Sequence, residues 1–193
     1  MTDTLTASNP AAAPDHIRQL AAGIRLLALD VDGVMTDGKL LFSAQGDELK
    51  AFNILDGHGI KQLMAAGIEV AIITGRNSPL TARRAADLGI KRILQGREDK
   101  RVALLELARE CQLEPDALAY MGDDLPDLSA IQMAGLGVTV PNGHWFVRQR
   151  ADYCTHAEGG AGAVRELADL LLDAQGLLCG ALQQYLLEPE SHS

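Results

Sequence analysis

The segment Arg25-Leu-Leu-Ala-Leu-Asp-Val-Asp32 constrains the fold more than any other. It is a short, unbroken apolar run that ends in two carboxylates. An apolar run without alternation reads as a strand buried on both faces, the kind found in parallel sheets. A short helix fits residues 15–22 before it. After it, residues 39–42 and 48–52 flank the loop Ser43-Ala-Gln-Gly-Asp47, a hairpin signal. From residue 57 helices and strands alternate. Helices fit 57–66, 79–88, 100–112, 126–133 and about 161–175. Strands fit 69–74, 92–94, 117–122, 136–140 and 152–155. Repeated strand–helix–strand units imply an α/β fold, a Rossmann-like parallel sheet with helices on both faces. Gly67, Gly89 and Gly135 fall where helices should end.

The chain of 193 residues, 47% of them hydrophobic, suffices for one domain and one sizeable core. The expected organisation is a disordered tail over 1–14, one domain over 15–176 and a C-terminal lid segment over about 157–187. A frayed end follows over 188–193. There is room for a protruding hairpin but not for a large cap domain. Any cover over a site must be small or come from a neighbouring subunit.

The formal net charge is −9 and the sequence pI ≈ 4.9. Such a chain has no general attraction for nucleic acid or anionic membranes, so a phosphate site must rest on local features: a metal, a lysine, backbone amides. No stretch reaches the ~18 apolar residues of a membrane span. The first residues lack the basic start and apolar middle of a signal peptide. Cys111, Cys154 and Cys179 are far apart and form no CxxC, which points to buried reduced thiols in a cytoplasmic protein. His58, His144 and His156 lack metal-ligand spacing.

In open parallel sheets ligands bind outside the carboxyl ends of the strands. Four such places carry chemistry: Asp30 and Asp32; Thr74; Lys100; and Asp123, Asp124 and Asp127. Carboxylates from two strands suit a hard cation, and Mg2+ accepts few carboxylates while keeping waters. Lys100, Thr74 and free amides near Gly33 and Gly75 suit phosphate oxygens. A carboxylate beside a metal and a phosphate is a competent covalent nucleophile. Taken singly these residues have ordinary readings: a solvated strand-end turn for the Asp pair, a surface lysine, a capping threonine.

Taken in order they resemble the haloacid dehalogenase superfamily of phosphohydrolases. The matching sets are Asp30-Val-Asp32-Gly-Val, Thr74-Gly-Arg, Lys100 and Gly122-Asp-Asp-Leu-Pro-Asp127. The resemblance implies that Asp30 is the nucleophile and Asp32 the general acid and base. It implies that Thr74, Gly75 and Lys100 clamp phosphate. The metal would be held by Asp30, Asp123 and the backbone carbonyl of Asp32, with Asp124 and Asp127 as partners of those ligands. Within the superfamily the chain is similar to 3-deoxy-D-manno-octulosonate 8-phosphate phosphatases. The likeness runs through Asp30–Gly38, Phe52-Asn-Ile-Leu-Asp-Gly-His-Gly59, Ile73-Thr-Gly-Arg76, Gly122–Leu128 and Gly159-Gly-Ala-Gly-Ala-Val-Arg-Glu166. That family implies a homotetramer centred on the hairpin, with a neighbour's C-terminal tail closing each site. It also implies a role in lipopolysaccharide precursor synthesis.

Substrate contact is expected for Asp37, Arg76, Arg84 and Arg165, the last through the Gly159–Gly162 run acting as a lid. The rivals are a phosphatase of a related nine-carbon sugar-acid phosphate and a non-catalytic oligomerisation domain of the same fold. A phosphomutase would need a sizeable cap, which residues 36–52 leave no room for. Trp145 and Phe146 should pack or meet a neighbouring subunit.

Overall fold

The computed structural model describes residues 13–186. The expected tails over 1–12 and 187–193 lie outside the described residues. Ala13 is buried in the core and Pro14 is the N-cap of the first helix, so these two belong with the domain rather than with a tail.

The first elements are helix α1 (Asp15–Ala22), strand β1 (Leu26–Leu29), strands β2 (Leu41–Phe42) and β3 (Glu48–Leu49), helix α2 (Ile54–Ala65), strand β4 (Glu69–Thr74), helix α3 (Pro79–Leu88) and strand β5 (Arg92–Gln95). They are followed by helix α4 (Lys100–Cys111), strand β6 (Leu118–Met121), helix α5 (Leu128–Ile131), strand β7 (Leu136–Thr139), helix α6 (Trp145–Arg148), strand β8 (Tyr153–Cys154) and helices α7 (Ala163–Ala174) and α8 (Leu178–Gln183). Short 3-10 turns cover Pro115–Ala117 and Leu125–Asp127.

Six strands form one sheet in the order β5-β4-β1-β6-β7-β8, and each neighbouring pair is parallel. The alternation of side chains divides the core into two layers. Leu27 and Leu29 of β1 and Val70 and Ile72 of β4 face a layer built with α1, α2, α3 and α7. Leu26 and Ala28, with Ala71 and Ile73, face the opposite layer, where Leu104 and Leu107 of α4, Ile131 of α5 and Val147 of α6 pack. Both faces of β1 are therefore dry, as its unbroken apolar run requires. The chain leaves β1 for β4 on one side and later crosses to β6 on the other. The crevice at the end of β1 is thus the topological switch point of the sheet.

Several elements differ from the expected ones. Helix α2 begins at Ile54, earlier than residue 57, because Asn53 caps it by accepting from the Leu55 N–H at 2.7 Å. Asp56-Gly57 therefore lies inside a helix and is no turn. Gly57 is tolerated there because a Cβ on it would lie 2.3 Å from Arg84 Nη2. The helix expected over 126–133 shortens to α5 preceded by a 3-10 turn, and α6 and α8 were not anticipated. Gly135 does not end a helix in the left-handed conformation. Its place is set by close approach, since a Cβ there would lie 2.3 Å from the Asp116 carbonyl oxygen. Cys111 and Cys154 are half-buried and Cys179 is exposed, so the expectation of three buried thiols fails. Trp145 is exposed. No helix among the described residues is long and apolar enough to cross a membrane.

Candidate active site

Residues just beyond β1, β4 and β6, together with the first residue of α4, line one cleft of ≈ 350 Å³. Asp30, Asp32, Thr74, Gly75, Arg76, Lys100, Asp123, Asp124 and Asp127 all border it. The chain turns there immediately after β1. The N–H groups of Val34, Met35 and Thr36 all donate to the Val31 carbonyl, and Gly33 takes φ +100°. That turn brings the Asp32 carboxylate back toward the cleft instead of leaving it on the far face of an extended strand.

Lys100 sits at the centre. Its ammonium lies 2.7 Å from Asp30 Oδ1 and 2.6 Å from Asp127 Oδ1, and the lysine is buried. Burial works against its charge, but the Asp30 and Asp127 carboxylates more than offset this and hold its pKa above the usual lysine range. Asp127 is saturated. Its Oδ1 accepts from Lys100 and from the Tyr120 hydroxyl at 2.7 Å, and its Oδ2 accepts from the Asp123 and Asp124 N–H groups at 3.1 and 3.2 Å. A carboxylate with four donors is a scaffold for its neighbours.

Asp30 and Asp123 differ from it. Burial, followed by the Asp127 charge, pushes each up to about 7. Asp123 Oδ1 is buried and has no hydrogen-bond partner. Carboxylate oxygens of Asp30, Asp123 and Asp127 lie within 4.8 Å of one another. A crowded acidic cluster with one buried, unpartnered carboxylate oxygen fits a hard divalent cation, which would supply positive charge.

Thr74 is the last residue of β4 and buried, and its hydroxyl accepts from the Arg76 N–H at 3.4 Å. Asp124 caps the turn that follows, accepting from the Leu125 N–H at 2.8 Å. Arg76 borders the cleft but is held by Glu48 Oε1 at 2.7 Å and lies 3.7 Å from Asp32 Oδ2.

The other three expected substrate contacts lie outside this cleft. Asp37 pairs with Lys39 at 2.9 Å and borders a neighbouring depression with Asn53 and Gly160. Arg84 donates to the Asn53 carbonyl at 3.1 Å and covers the Phe52 ring. Arg165 pairs with Asp169 at 2.9 Å within α7. The Gly159–Gly162 run is a brace within this chain, and its amides are taken. Gly159 N–H donates to Asn142 and Gly160 N–H to the Val34 carbonyl, both at 2.9 Å. A Cβ on Gly159 would lie 1.8 Å from the Gly33 carbonyl oxygen. The anion at the start of α7 is the buried Asp56, which accepts from the Arg165 N–H at 2.8 Å.

Three site neighbours were not anticipated: Tyr120, Glu48 and Lys50. Tyr120 did carry a signal, since a tyrosine within a buried strand needs a polar partner for its hydroxyl. Lys50 carried none beyond parity, because Glu48 and Lys50 share one side of the hairpin strand and Leu49 takes the other.

A buried carboxylate at the switch point, paired with a buried lysine and set beside an acidic loop at the end of the adjacent strand β6, is the arrangement of a hydrolase of the haloacid dehalogenase type. The family model described as haloacid dehalogenase-like hydrolase matches residues 43–135. The chain is 50% identical over 167 residues to a 3-deoxy-D-manno-octulosonate 8-phosphate phosphatase of Yersinia pestis, covering 86% of this chain and 89% of that protein. It superposes with a TM-score of 0.88 on the crystal structure of the Moraxella catarrhalis phosphatase of that name, solved with magnesium, phosphate and 3-deoxy-D-manno-octulosonate. That structure is 44% identical, and the match covers 90% of this chain and 100% of that one. A probable phosphatase structure from Pseudomonas syringae matches with a TM-score of 0.89 at 49% identity, over 91% of this chain and 100% of that one. The chain belongs to the 3-deoxy-D-manno-octulosonate 8-phosphate phosphatase family.

Proposed function

We propose that the chain hydrolyses 3-deoxy-D-manno-octulosonate 8-phosphate to the free sugar acid and inorganic phosphate, in the supply of lipopolysaccharide precursors. The observation that carries this reading is the 2.7 Å contact between Lys100 and Asp30 in a cleft shared with Thr74 and Asp123. Lys100, Thr74 and the Gly75 backbone bind the phosphate oxygens. Asp30 attacks phosphorus, and the sugar oxygen leaves with a proton from Asp32. The resulting aspartyl-phosphate is opened by a water that gives its proton to Asp32, which releases phosphate, frees the Asp30 carboxylate and returns Asp32 to its protonated form. Mg2+, held by Asp30, Asp123 and the Asp32 carbonyl, supplies positive charge to the phosphate oxygens. Asp127 and Asp124 hold the loop that presents Asp123.

A homotetramer built on the hairpin is part of this reading. It is supported by the exposed apolar side chains that the hairpin carries, Leu41, Phe42 and Leu49. A cytoplasmic setting agrees with the thiols of Cys111 and Cys154. The test is steady-state kinetics across sugar phosphates, with Asp30→Asn beside the native chain. The eight-carbon sugar-acid phosphate should lead in kcat/KM, and Asp30→Asn should abolish turnover. Retained activity in Asp30→Asn, or a large preference for another sugar phosphate, would overturn the reading.

A further inference from the structure

The hairpin reaches the active site through its charged side. Along Glu48-Leu49-Lys50 the side chains alternate: Leu49 is exposed, while the Lys50 and Glu48 side chains are 3% and 20% exposed. The Lys50 ammonium is bonded to Asp32 Oδ1 and lies 3.8 Å from Glu48 Oε1. Glu48 in turn grips Arg76. A lysine ammonium this deeply buried is costly unless paired, so the pair with Asp32 is a built feature of the fold and not a surface accident.

The geometry has a direction. Asp32 Oδ1 is taken by Lys50. Asp32 Oδ2 lies 3.7 Å from Arg76 Nε, beyond hydrogen-bond length, and is the oxygen turned to other use. Without Lys50, nothing else on the described residues holds the Asp32 side chain by a hydrogen bond. We propose that Lys50 is the positioning residue for Asp32, fixing that carboxylate by one oxygen so that the other meets the leaving oxygen of the substrate, with Glu48 anchoring Lys50 and Arg76 together. The hairpin is then a working wall of the site as well as an outward apolar face. This inference rests on the acid–base role given to Asp32 above.

A positioning role of this kind has a signature that general damage to the fold lacks. Protonation of the leaving oxygen matters for a sugar alkoxide and little for p-nitrophenolate, which leaves unaided. In a covalent mechanism kcat/KM reports the step in which that group departs. Lys50→Met is expected to lose about 10²-fold in kcat/KM on 3-deoxy-D-manno-octulosonate 8-phosphate. Its loss on p-nitrophenyl phosphate is expected to be at least about tenfold smaller. Lys50→Arg should recover most of the difference. Asp32→Asn should show the same dependence on leaving group, more strongly. Equal losses on both substrates in Lys50→Met, with Asp32→Asn still selective, overturn the inference and leave the acid–base reading standing. A non-selective Asp32→Asn overturns both. If Lys50→Met does not fold, Glu48→Gln serves in its place: it keeps Lys50 but loosens its anchor. A selective but smaller loss supports the inference, and an unselective one overturns it.

Discussion

The Lys100 ammonium bridges Asp30 and Asp127, at 2.7 and 2.6 Å, and so couples the carboxylate at the end of β1, the proposed nucleophile, to the scaffold carboxylate beyond β6. Asp127 anchors the lysine, Asp30 receives its charge, and incoming phosphate would meet both. Replacing Lys100 with Met keeps the length of the side chain and removes the charge. The expected result is a loss of about 10²–10³ in kcat, as for removal of one preorganised electrostatic group. Two buried carboxylates are also left without their cation, so the midpoint of chemical denaturation should fall. Steady-state kinetics and urea unfolding check both. A variant that keeps native turnover would contradict the role given to Lys100.

Asp30 and Asp123, each pushed up to about 7 by burial and then by the Asp127 charge, predict how metal and pH interact. In the metal-free chain these carboxyls hold protons that the unfolded chain releases near 3.8. The folded state therefore binds more protons between about pH 4 and 7, and metal-free stability should fall as pH rises through that window. A divalent cation replaces those protons and removes the penalty. Thermal unfolding with chelator and with saturating Mg2+ should show a larger metal-induced shift near pH 8 than near pH 5.5. Metal binding at about pH 6 should release protons, measurable by calorimetry in buffers of different ionisation enthalpy. A shift of equal size at both pH values would contradict the assignment of these two carboxylates to the metal.

The site was legible where chemistry is local. Asp30, Thr74 and Asp123 each lie at the end of an apolar strand or within two residues of it, and strand ends share an edge in a parallel sheet. That shared edge alone places them together. Lys100 was legible for the same reason, as the first residue of a helix that follows β5. What escaped depends on contacts far apart in sequence. Lys50 meets Asp32 only because the turn after β1 and the hairpin fold back on one another. Arg165 looked like a substrate ligand because it follows a glycine run. Its amide is instead claimed by Asp56 of α2, and its guanidinium by Asp169 one turn along its own helix. Element boundaries slipped where a cap or a tight approach overrode propensity, as at Asn53 and Gly57.

The exposed side of the hairpin should govern assembly. Leu41 and Leu49 sit opposite one another on one face of a two-stranded ribbon, 49% and 55% exposed, and such a ribbon is too small to be stable without further burial. Leu41→Asp places a charge in that patch. In light scattering the native chain is expected to run as a tetramer and the variant as a smaller species. Because the other side of the same ribbon carries Glu48 and Lys50, kcat/KM should fall along with the assembly. A variant that remains tetrameric would remove the hairpin from the interface.

Gly33 separates strain from crowding at the metal carboxylates. It holds φ +100°, and a Cβ there would lie 2.1 Å from Asp123 Oδ2. Gly46 in the hairpin loop holds φ +91° with nothing within 4 Å of a Cβ. Alanine at either position carries a similar backbone cost of about 1–2 kcal/mol. Only at Gly33 does it also push Asp123 away from Asp30. Gly33→Ala is therefore expected to weaken Mg2+ binding by about tenfold or more, a displacement energy of about 1.4 kcal/mol. Gly46→Ala should bind the ion as the native chain does. Fluorescence of Trp145 offers the readout: the chain has a single tryptophan, and the neighbouring His144 N–H donates to the Asp123 carbonyl at 2.8 Å. Equal affinity in the two variants would mean that Asp123 does not hold the metal through the oxygen facing Gly33.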